Sequence, residues 1–410
     1  MCAESESLVS GDSGLPLVVV MSGVPLWTRG RYALAARMTT LASDLSGAGF
    51  DVLLVAPNGA SMTGPQTSRT GRSIRSLDFS SSTQSRIGPT GIREAINVFV
   101  RVLIALRRDK QARPVVLLST GIWVPLFARI LAGLHERSYL HLDVPGIPDK
   151  EIALSKPRFW RGKVRLYKLA FSRIVQHSVV VTTINESHAR FLRKEFGIDP
   201  LIVPDFLNEA WLRRLLSLPA HIQGERINIL YAGALFGSRI ELFLRTLAPL
   251  TERGIVRAVI LGEGPDRARL QAQFERRGIA FPGYALPDSL LTQLAEADIC
   301  YSDVWSEIGM PYKVLEYMAA GRAVLSHDTD SLRVVITNGV DGVLCSKEES
   351  SMSQALTTLI EDEALRIRLG QHARKRILEL HQADRLRGLS EKYRKLGTGG
   401  KSEGGEPLTV

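Results

Sequence analysis

The sequence predicts an α/β protein built as two doubly wound domains, each a parallel sheet covered by helices on both faces. Three observations carry this. Near-continuous apolar runs such as Leu17 to Met21 and Ile227 to Ala232 recur between amphipathic stretches, the pattern of strands buried on both faces. The alternation starts near Leu17 and starts again near Arg226. At 410 residues the chain is also too long for one ordinary core.

In the first series, Leu17 to Met21 reads as a strand followed by the loop Ser22-Gly23-Val24-Pro25. A helical pattern covers Tyr32 to Ser46 and stops at Gly47-Ala48-Gly49, and Asp51 to Ala56 is the next strand. The theme recurs at Val115–Leu118, Tyr139–Leu142 and Val179–Thr182. Gly59 to Gly91, rich in Ser, Thr, Gly and Arg, reads as a long mobile loop. In the second series, strand Ile227–Ala232 ends at Gly233, and a helix begins near Ile240. Strand Arg257–Leu261 then runs into Gly262-Glu263-Gly264-Pro265, and a helix over Asp266 to Arg277 leads to a short strand ending at Pro282-Gly283. Helix Asp288–Ala295, strand Asp298–Ser302, helix Pro311–Ala320 and strand Ala323–Ser326 complete it. No short fixed period repeats, which excludes a solenoid.

These readings divide the chain into a disordered N-terminus (1–14), a first domain (15–205), a linker (206–225) and a second domain (226–375). C-terminal helices (376–396) are placed to pack back on the first domain, and the Gly-rich tail (397–410) reads as disordered.

Composition narrows the class. Hydrophobic residues make up 45% and charged residues 23%, which excludes global disorder. With 52 Lys+Arg against 42 Asp+Glu, the net charge is +10; it suits anionic partners such as nucleotides, phosphorylated substrates or an anionic membrane face, and equally a solvated surface. Cys2, Cys300 and Cys345 show neither zinc spacing nor a disulfide framework. Met1 to Gly14 lacks the basic and apolar regions of a secretory signal, so the expectation is a cytoplasmic enzyme. Val115 to Leu134 has the length of a membrane span, but Pro125, Arg129 and Ser119-Thr120-Gly121 interrupt it, and it reads as strand, turn and helix.

The segment from Glu307 to Ser326, EIGMPYKVLEYMAAGRAVLS, carries the chemistry. Pro311 fits the first turn of a helix, where a missing N–H does no harm, and Gly309 lets a ligand approach the backbone. Such a helix start offers N–H groups and a positive dipole end to phosphate. Lys313 and Glu316 lie three apart on one helical face, and Gly321 ends the helix. A carboxylate so placed can accept hydrogen bonds from two ribose hydroxyls while the lysine neutralises phosphate. An ordinary amphipathic helix with an i,i+3 ion pair is the alternative.

The pattern Pro-x-Lys-x-x-Glu-Tyr-Met-Ala-Ala-Gly-x-x-Val over Pro311 to Val324 resembles the retaining GT-B glycosyltransferases of the family 4 (glycosyl transferase group 1) type. Further parts follow in the family's order: Gly233 after the first strand of the second series, Leu261-Gly262-Glu263-Gly264-Pro265, Phe281-Pro282-Gly283, and Asn338-Gly339-Val340-Asp341-Gly342-Val343-Leu344. The resemblance is looser in the first half. It implies two facing Rossmann-like domains with a cleft between them and sugar transfer from a nucleoside-diphosphate sugar, UDP or GDP first among the candidates. It also implies retention at the anomeric carbon and no obligatory cofactor or metal.

Donor-nucleotide residues then map onto Gly233, Arg239, Gly262, Gly283, Gly309, Met310, Pro311, Lys313 and Glu316, with Glu316 as ribose ligand and Arg239 at the diphosphate. Two departures stand out. Ala234 occupies the place of the family's frequent arginine. Ile308 occupies the place of its donor-sugar carboxylate, with Glu307 one residue further from Glu316. Glu307 is therefore a catalytic candidate only if the loop adjusts. His141 and Asp143 at a strand end are the other catalytic candidates, for polarising acceptor or donor; a satisfied structural histidine is the alternative. Gly23, Val24, Trp27, Arg29 and Arg31 are candidates for the acceptor side.

Lys156 to Arg173 holds seven cations and no acid, interleaved with Phe159, Trp160, Tyr167 and Phe171. It has two readings: a membrane-surface helix suited to a lipid-linked acceptor, or a basic helix flanking the cleft. Nucleic-acid binding lacks any supporting module, and oligomeric state is open. A glycan, a lipid carrier and a small natural product all remain open as acceptor. A sugar-nucleotide epimerase, a phosphorylase and a non-catalytic nucleotide-binding subunit share the fold reading. A nicotinamide dehydrogenase does not, because no strand is followed by G-x-G-x-x-G with a downstream acid.

Overall fold

The computed structural model describes residues 15–22, 32–58, 74–80, 92–109, 113–121, 123–146, 160–219, 226–304, 312–382 and 386–398. The chain divides into two compact units, 1–204 with 384–410, and 205–383.

The first unit contains β1 (Leu17–Met21), α1 (Tyr32–Gly47), β2 (Asp51–Asn58), β3 (Arg75–Ser80), α2 (Ile92–Arg108), β4 (Val115–Thr120), α3 (Trp123–Leu134), β5 (Ser138–Val144), α4 (Trp160–Gln176), β6 (Val180–Thr183), α5 (Glu186–Phe196) and β7 (Leu201–Ile202). Its strands form one parallel sheet in the order β3-β2-β1-β4-β5-β6-β7. Side chains alternate across a strand, so the apolar run of β1 feeds two cores. Val19 and Met21 join α2, α3 and α4 through Val98, Val102, Ala128, Leu131 and Phe171. Val18 and Val20 meet Met38, Leu41 and Leu45 of α1 on the opposite face.

The expected loop over Gly59 to Gly91 contains a strand instead. Arg75–Ser80 pairs with β2 at the sheet edge, with Ile74 buried and Leu77 packed on the core. An edge strand needs only one covered face, so its apolar signal is short and the surrounding Ser and Arg residues mask it. Val115 to Leu134, which has the length of a membrane span, contains β4 and α3. Among the described residues no helix is long and apolar enough to cross a membrane.

The second unit contains α6 (Glu209–Leu216), β8 (Ile227–Ala232), α7 (Gly237–Glu252), β9 (Val256–Leu261), α8 (Arg267–Phe274), β10 (Ile279–Gly283), α9 (Pro287–Glu296), β11 (Ile299–Ser302), α10 (Tyr312–Ala319), β12 (Ala323–His327), α11 (Asp330–Arg333), β13 (Val343–Cys345), α12 (Glu349–Glu361) and α13 (Glu363–Gln382). Its parallel sheet runs β10-β9-β8-β11-β12-β13. The core joins Ile229 and Tyr231 of β8 to Ile240, Phe243 and Leu247 of α7 and to Met352, Leu356 and Leu359 of α12. Cys300 and Cys345 are free thiols buried in this unit.

Residues 205–219 belong to this unit and include α6, where the sequence suggests a linker; its Trp211, Leu212 and Leu215 are buried. The last described helix, α14 (Arg387–Gly397), lies in the first unit, where Leu389, Tyr393 and Leu396 complete the core beneath α1.

Helix α10 ends in a left-handed glycine cap. Gly321 has φ 69°, its N–H bonds Met318 O at 3.0 Å, and the N–H of Arg322 bonds Tyr317 O at 3.0 Å; this double closure is the Schellman arrangement. Helix α13 crosses this end closely enough that a Cβ on Gly370 would overlap the carbonyl oxygen of Gly321. The substitution Gly370→Ala is expected to destabilise the second unit by about 1–3 kcal/mol through overpacking. Urea unfolding should show a lower midpoint with an unchanged slope.

Candidate functional site

In the second sheet the strand order reverses between β8 and β11. Open α/β sheets bind ligands at such a switch point, beyond the carboxyl ends of the strands. Three of the glycines singled out in the sequence meet there. Gly233 N–H bonds Leu261 O at 3.0 Å, and Gly262 N–H bonds Gly283 O at 2.7 Å. A Cβ on Gly262, whose φ is 132°, would run into the carbonyl oxygen of Gly233, so the backbones of β8 and β9 approach here only because that side chain is absent.

Lys313, on the first turn of α10, reaches this point. Its Nζ lies 2.5 Å from Asp303 Oδ1 and 4.3 Å from the centre of the Tyr231 ring. A side chain at Gly233 would strike the same ammonium. Asp303 follows β11 and is buried. Burial alone would raise its carboxyl, but the Lys313 charge and hydrogen bond, aided by Arg239, outweigh burial and hold it below the ordinary carboxylate range. Tyr231, buried beside the same carboxylate, has its phenol pushed well up, first by burial and then by Asp303. Arg239, on the first turn of α7, is held over the Phe236 ring at 5.1 Å. Two cations thus address one buried carboxylate at the switch point, an arrangement able to receive a polyanion.

Glu316 lies one turn after Lys313 and is 3% exposed. Its Oε1 accepts the indole N–H of Trp211 at 2.8 Å. Beside it, Tyr317 Oη accepts the backbone N–H of Ala232 at 2.8 Å, which ties α10 to the end of β8. The site therefore brings together Gly233, Gly262, Gly283, Lys313 and Glu316, with Arg239 at its margin. Two of its members escaped the sequence reading. Asp303 carries a weak signal, an acid directly after a strand at the order reversal. Trp211 carries none beyond the apolar spacing of a short helix.

His141 and Asp143 are placed otherwise. On β5 they are 0% and 1% exposed. Arg37 of α1 grips Asp143 with two bonds, Nε to Oδ2 and Nη2 to Oδ1, both 2.7 Å, and donates a third to Val203 O at 2.9 Å. Thr182 Oγ1 donates to Asp143 Oδ1 at 2.6 Å and lies 2.8 Å from His141 Nε2. Since the carboxylate only accepts, Thr182 spends its hydrogen there and takes the His141 Nε2–H. Nδ1 is then the unprotonated nitrogen, accepting the Tyr393 hydroxyl of α14 at 2.5 Å. Burial pushes the imidazole down to about 3 against the pull of Asp143. With both nitrogens engaged and no exposed edge, His141 holds β5, β6 and α14 together and has no open position for proton transfer. This is the arrangement of a satisfied structural histidine, the alternative that the sequence leaves open.

The remaining candidates, Gly23, Val24, Trp27, Arg29 and Arg31 on the acceptor side and Glu307, Gly309, Met310 and Pro311 on the donor side, lie outside the described residues.

Residues 226–362 match the family model described as "Glycosyl transferases group 1". Over 229 residues the chain is 28% identical to N,N'-diacetylbacillosaminyl-diphospho-undecaprenol alpha-1,3-N-acetylgalactosaminyltransferase of Campylobacter jejuni, a match covering 51% of this chain and 57% of that enzyme. The chain thus spans little more than half the length of this curated relative. Among solved structures, sucrose-phosphate synthase from Thermosynechococcus elongatus superposes with a TM-score of 0.72 at 16% identity, covering 94% of this chain and 100% of that one. Anabaena HepE in complex with UDP and glucose gives 0.61 at 13% identity, covering 88% and 94%. The match to the group 1 model falls within the second unit, and the two parallel-sheet, Rossmann-like units have the fold of GT-B glycosyltransferase structures.

The buried network of the first unit generates a pH dependence. His141 titrates near 3 when folded and near 6.5 when unfolded, so between these values the unfolded chain binds more protons. Stability is fully present above about pH 6.5 and falls as pH drops, by about 1.4 kcal/mol per pH unit from this group. Urea unfolding of the first unit between pH 6 and 4.5 should show that slope, and His141→Gln should flatten it.

Proposed function

We propose that this chain is a retaining glycosyltransferase that moves a sugar from a nucleoside-diphosphate sugar, UDP- or GDP-linked, to an acceptor. The observation that carries the proposal is the placement of Lys313 against Gly233 with Glu316 one turn away, at the carboxyl-end switch point of the sheet that matches the group 1 model. A bound nucleotide would set its ribose hydroxyls on the Glu316 carboxylate and its diphosphate towards Lys313 and Arg239. In this reading Gly233 and Gly262 let the strand ends and Lys313 draw together where the nucleotide would sit.

Catalysis then consists of holding donor and acceptor together and stabilising the charge that develops on the departing nucleoside diphosphate. Cations supply that stabilisation, so the proposed reaction needs no obligatory metal. Glu307 is the residue proposed to touch the donor sugar, and Gly23, Val24, Trp27 and Arg29 are proposed for the acceptor side. The Campylobacter relative's name specifies a sugar on a diphospho-undecaprenol carrier. A glycan, a lipid carrier and a small natural product are the acceptor classes to test for this chain. We place the enzyme in the cytoplasm. A peripheral membrane contact there would involve α4, whose Leu169 is exposed beside Arg165, although its Phe171, Ile174 and Val175 are committed to the core.

Thermal melting with UDP, GDP, ADP, TDP and CMP tests the donor site. One diphosphate is expected to raise Tm, in proportion to a stabilisation of about 2.7 kcal/mol at a hundredfold excess over Kd. Glu316→Ala should remove most of that shift while the unliganded protein still melts cooperatively. No response to any nucleotide would remove the donor-site reading.

A further inference from the structure

We infer that Trp211 is a positioning residue for the nucleotide site: its indole N–H sets the orientation of the Glu316 carboxylate that receives the ribose. The inference rests on the donor-site reading above and adds to it a residue outside the matched segment 226–362.

Trp211 lies on α6, whose start is capped by Asn208, with its side-chain oxygen accepting the N–H of Ala210 at 2.9 Å. The apolar face of this short helix is buried against α10. A buried indole is a donor with no acceptor function and must find a partner; here the partner is Glu316 Oε1 at 2.8 Å. The outer face of the ring is covered by the Arg214 guanidinium at 5.2 Å. A carboxylate offers about four lone-pair positions over two oxygens. One strong donor on Oε1 therefore fixes the rotation of the group about its last bond.

The rest of the segment is built so that α6 cannot drift from α10. Arg374 of α13 donates from Nη2 to Leu218 O at 2.6 Å and to Ala320 O at 2.9 Å, and from Nε to Ala319 O at 3.2 Å. One guanidinium thus holds the chain after α6 and the last carbonyls of α10 in a single register. Arg322 donates to Pro219 O at 2.7 Å, and His381 Nε2 meets Glu209 Oε2 at 2.7 Å at the other end of α6. A bracket pinned at both ends, with one polar side chain directed at one carboxylate, is more than packing requires. Leu212 and Leu215 already fill the apolar contact.

The experiment compares dissociation constants for UDP and 2′-deoxy-UDP (or GDP and 2′-deoxy-GDP, whichever pair stabilises the protein more). The wild-type chain is expected to prefer the ribonucleotide about tenfold or more, the size of a hydrogen bond to a charged group. Glu316→Ala should abolish the preference. Trp211→Phe and Trp211→Met both fill the space without the N–H, and either should bring the preference to within about twofold. A merely structural tryptophan would weaken both nucleotides equally and leave their ratio intact. An unchanged ratio in a folded Trp211 variant, with the preference lost in Glu316→Ala, overturns the inference and leaves the donor site standing. Absence of any preference in the wild-type chain, or its survival in Glu316→Ala, instead overturns the ribose assignment itself and the inference with it.

Discussion

The buried pair between Lys313 and Asp303 is the interaction on which the switch point of the second unit depends. A lysine brought under a backbone turn needs a counter-charge, and Asp303 is the carboxylate that the end of β11 places there. The pair in turn dictates its surroundings. Gly233 has no side chain because the ammonium occupies the space, Tyr231 turns its ring to the cation, and Tyr317 locks α10 to the backbone of β8. The ammonium is thus held between Asp303, Gly233 and the Tyr231 ring.

The two units treat buried carboxylates differently. Asp143 is enclosed by Arg37, Thr182 and the ring of His141, with both of its oxygens accepting hydrogen bonds. Arg37 outweighs the burial of Asp143 and holds its carboxyl below the usual range, so the network is a clamp among α1, β5 and β6 and extends through Tyr393 to α14. Asp303, after β11, is instead paired with Lys313, and Glu316, inside α10, with Trp211.

Much of this was legible in the sequence. Continuous apolar strands announced two parallel sheets, Gly321 announced the end of α10, and the spacing of Lys313 and Glu316 announced a polar face on a helix that is otherwise buried. Less legible were features that arise only from topology. Asp303 and Lys313 are ten positions apart, and only the β11–α10 crossover joins them. Trp211 and Glu316 are separated by 105 positions. β3 was hidden by the polar composition of an edge, and α6 by its place between the two strand–helix series, where the sequence suggests a linker. For His141 and Asp143 the one-dimensional pattern leaves both readings open, because a strand end can face the crevice or the core.

Where a nucleotide binds is the decisive question for this chain. A crystal structure of the protein with the nucleoside diphosphate that stabilises it most would settle it. The account predicts both ribose hydroxyls within about 3.2 Å of the Glu316 carboxylate, Trp211 still donating to Oε1, and the diphosphate beside Gly233 with Lys313 drawn towards it. A nucleotide bound away from α10, or one whose ribose leaves Glu316 untouched, would contradict it.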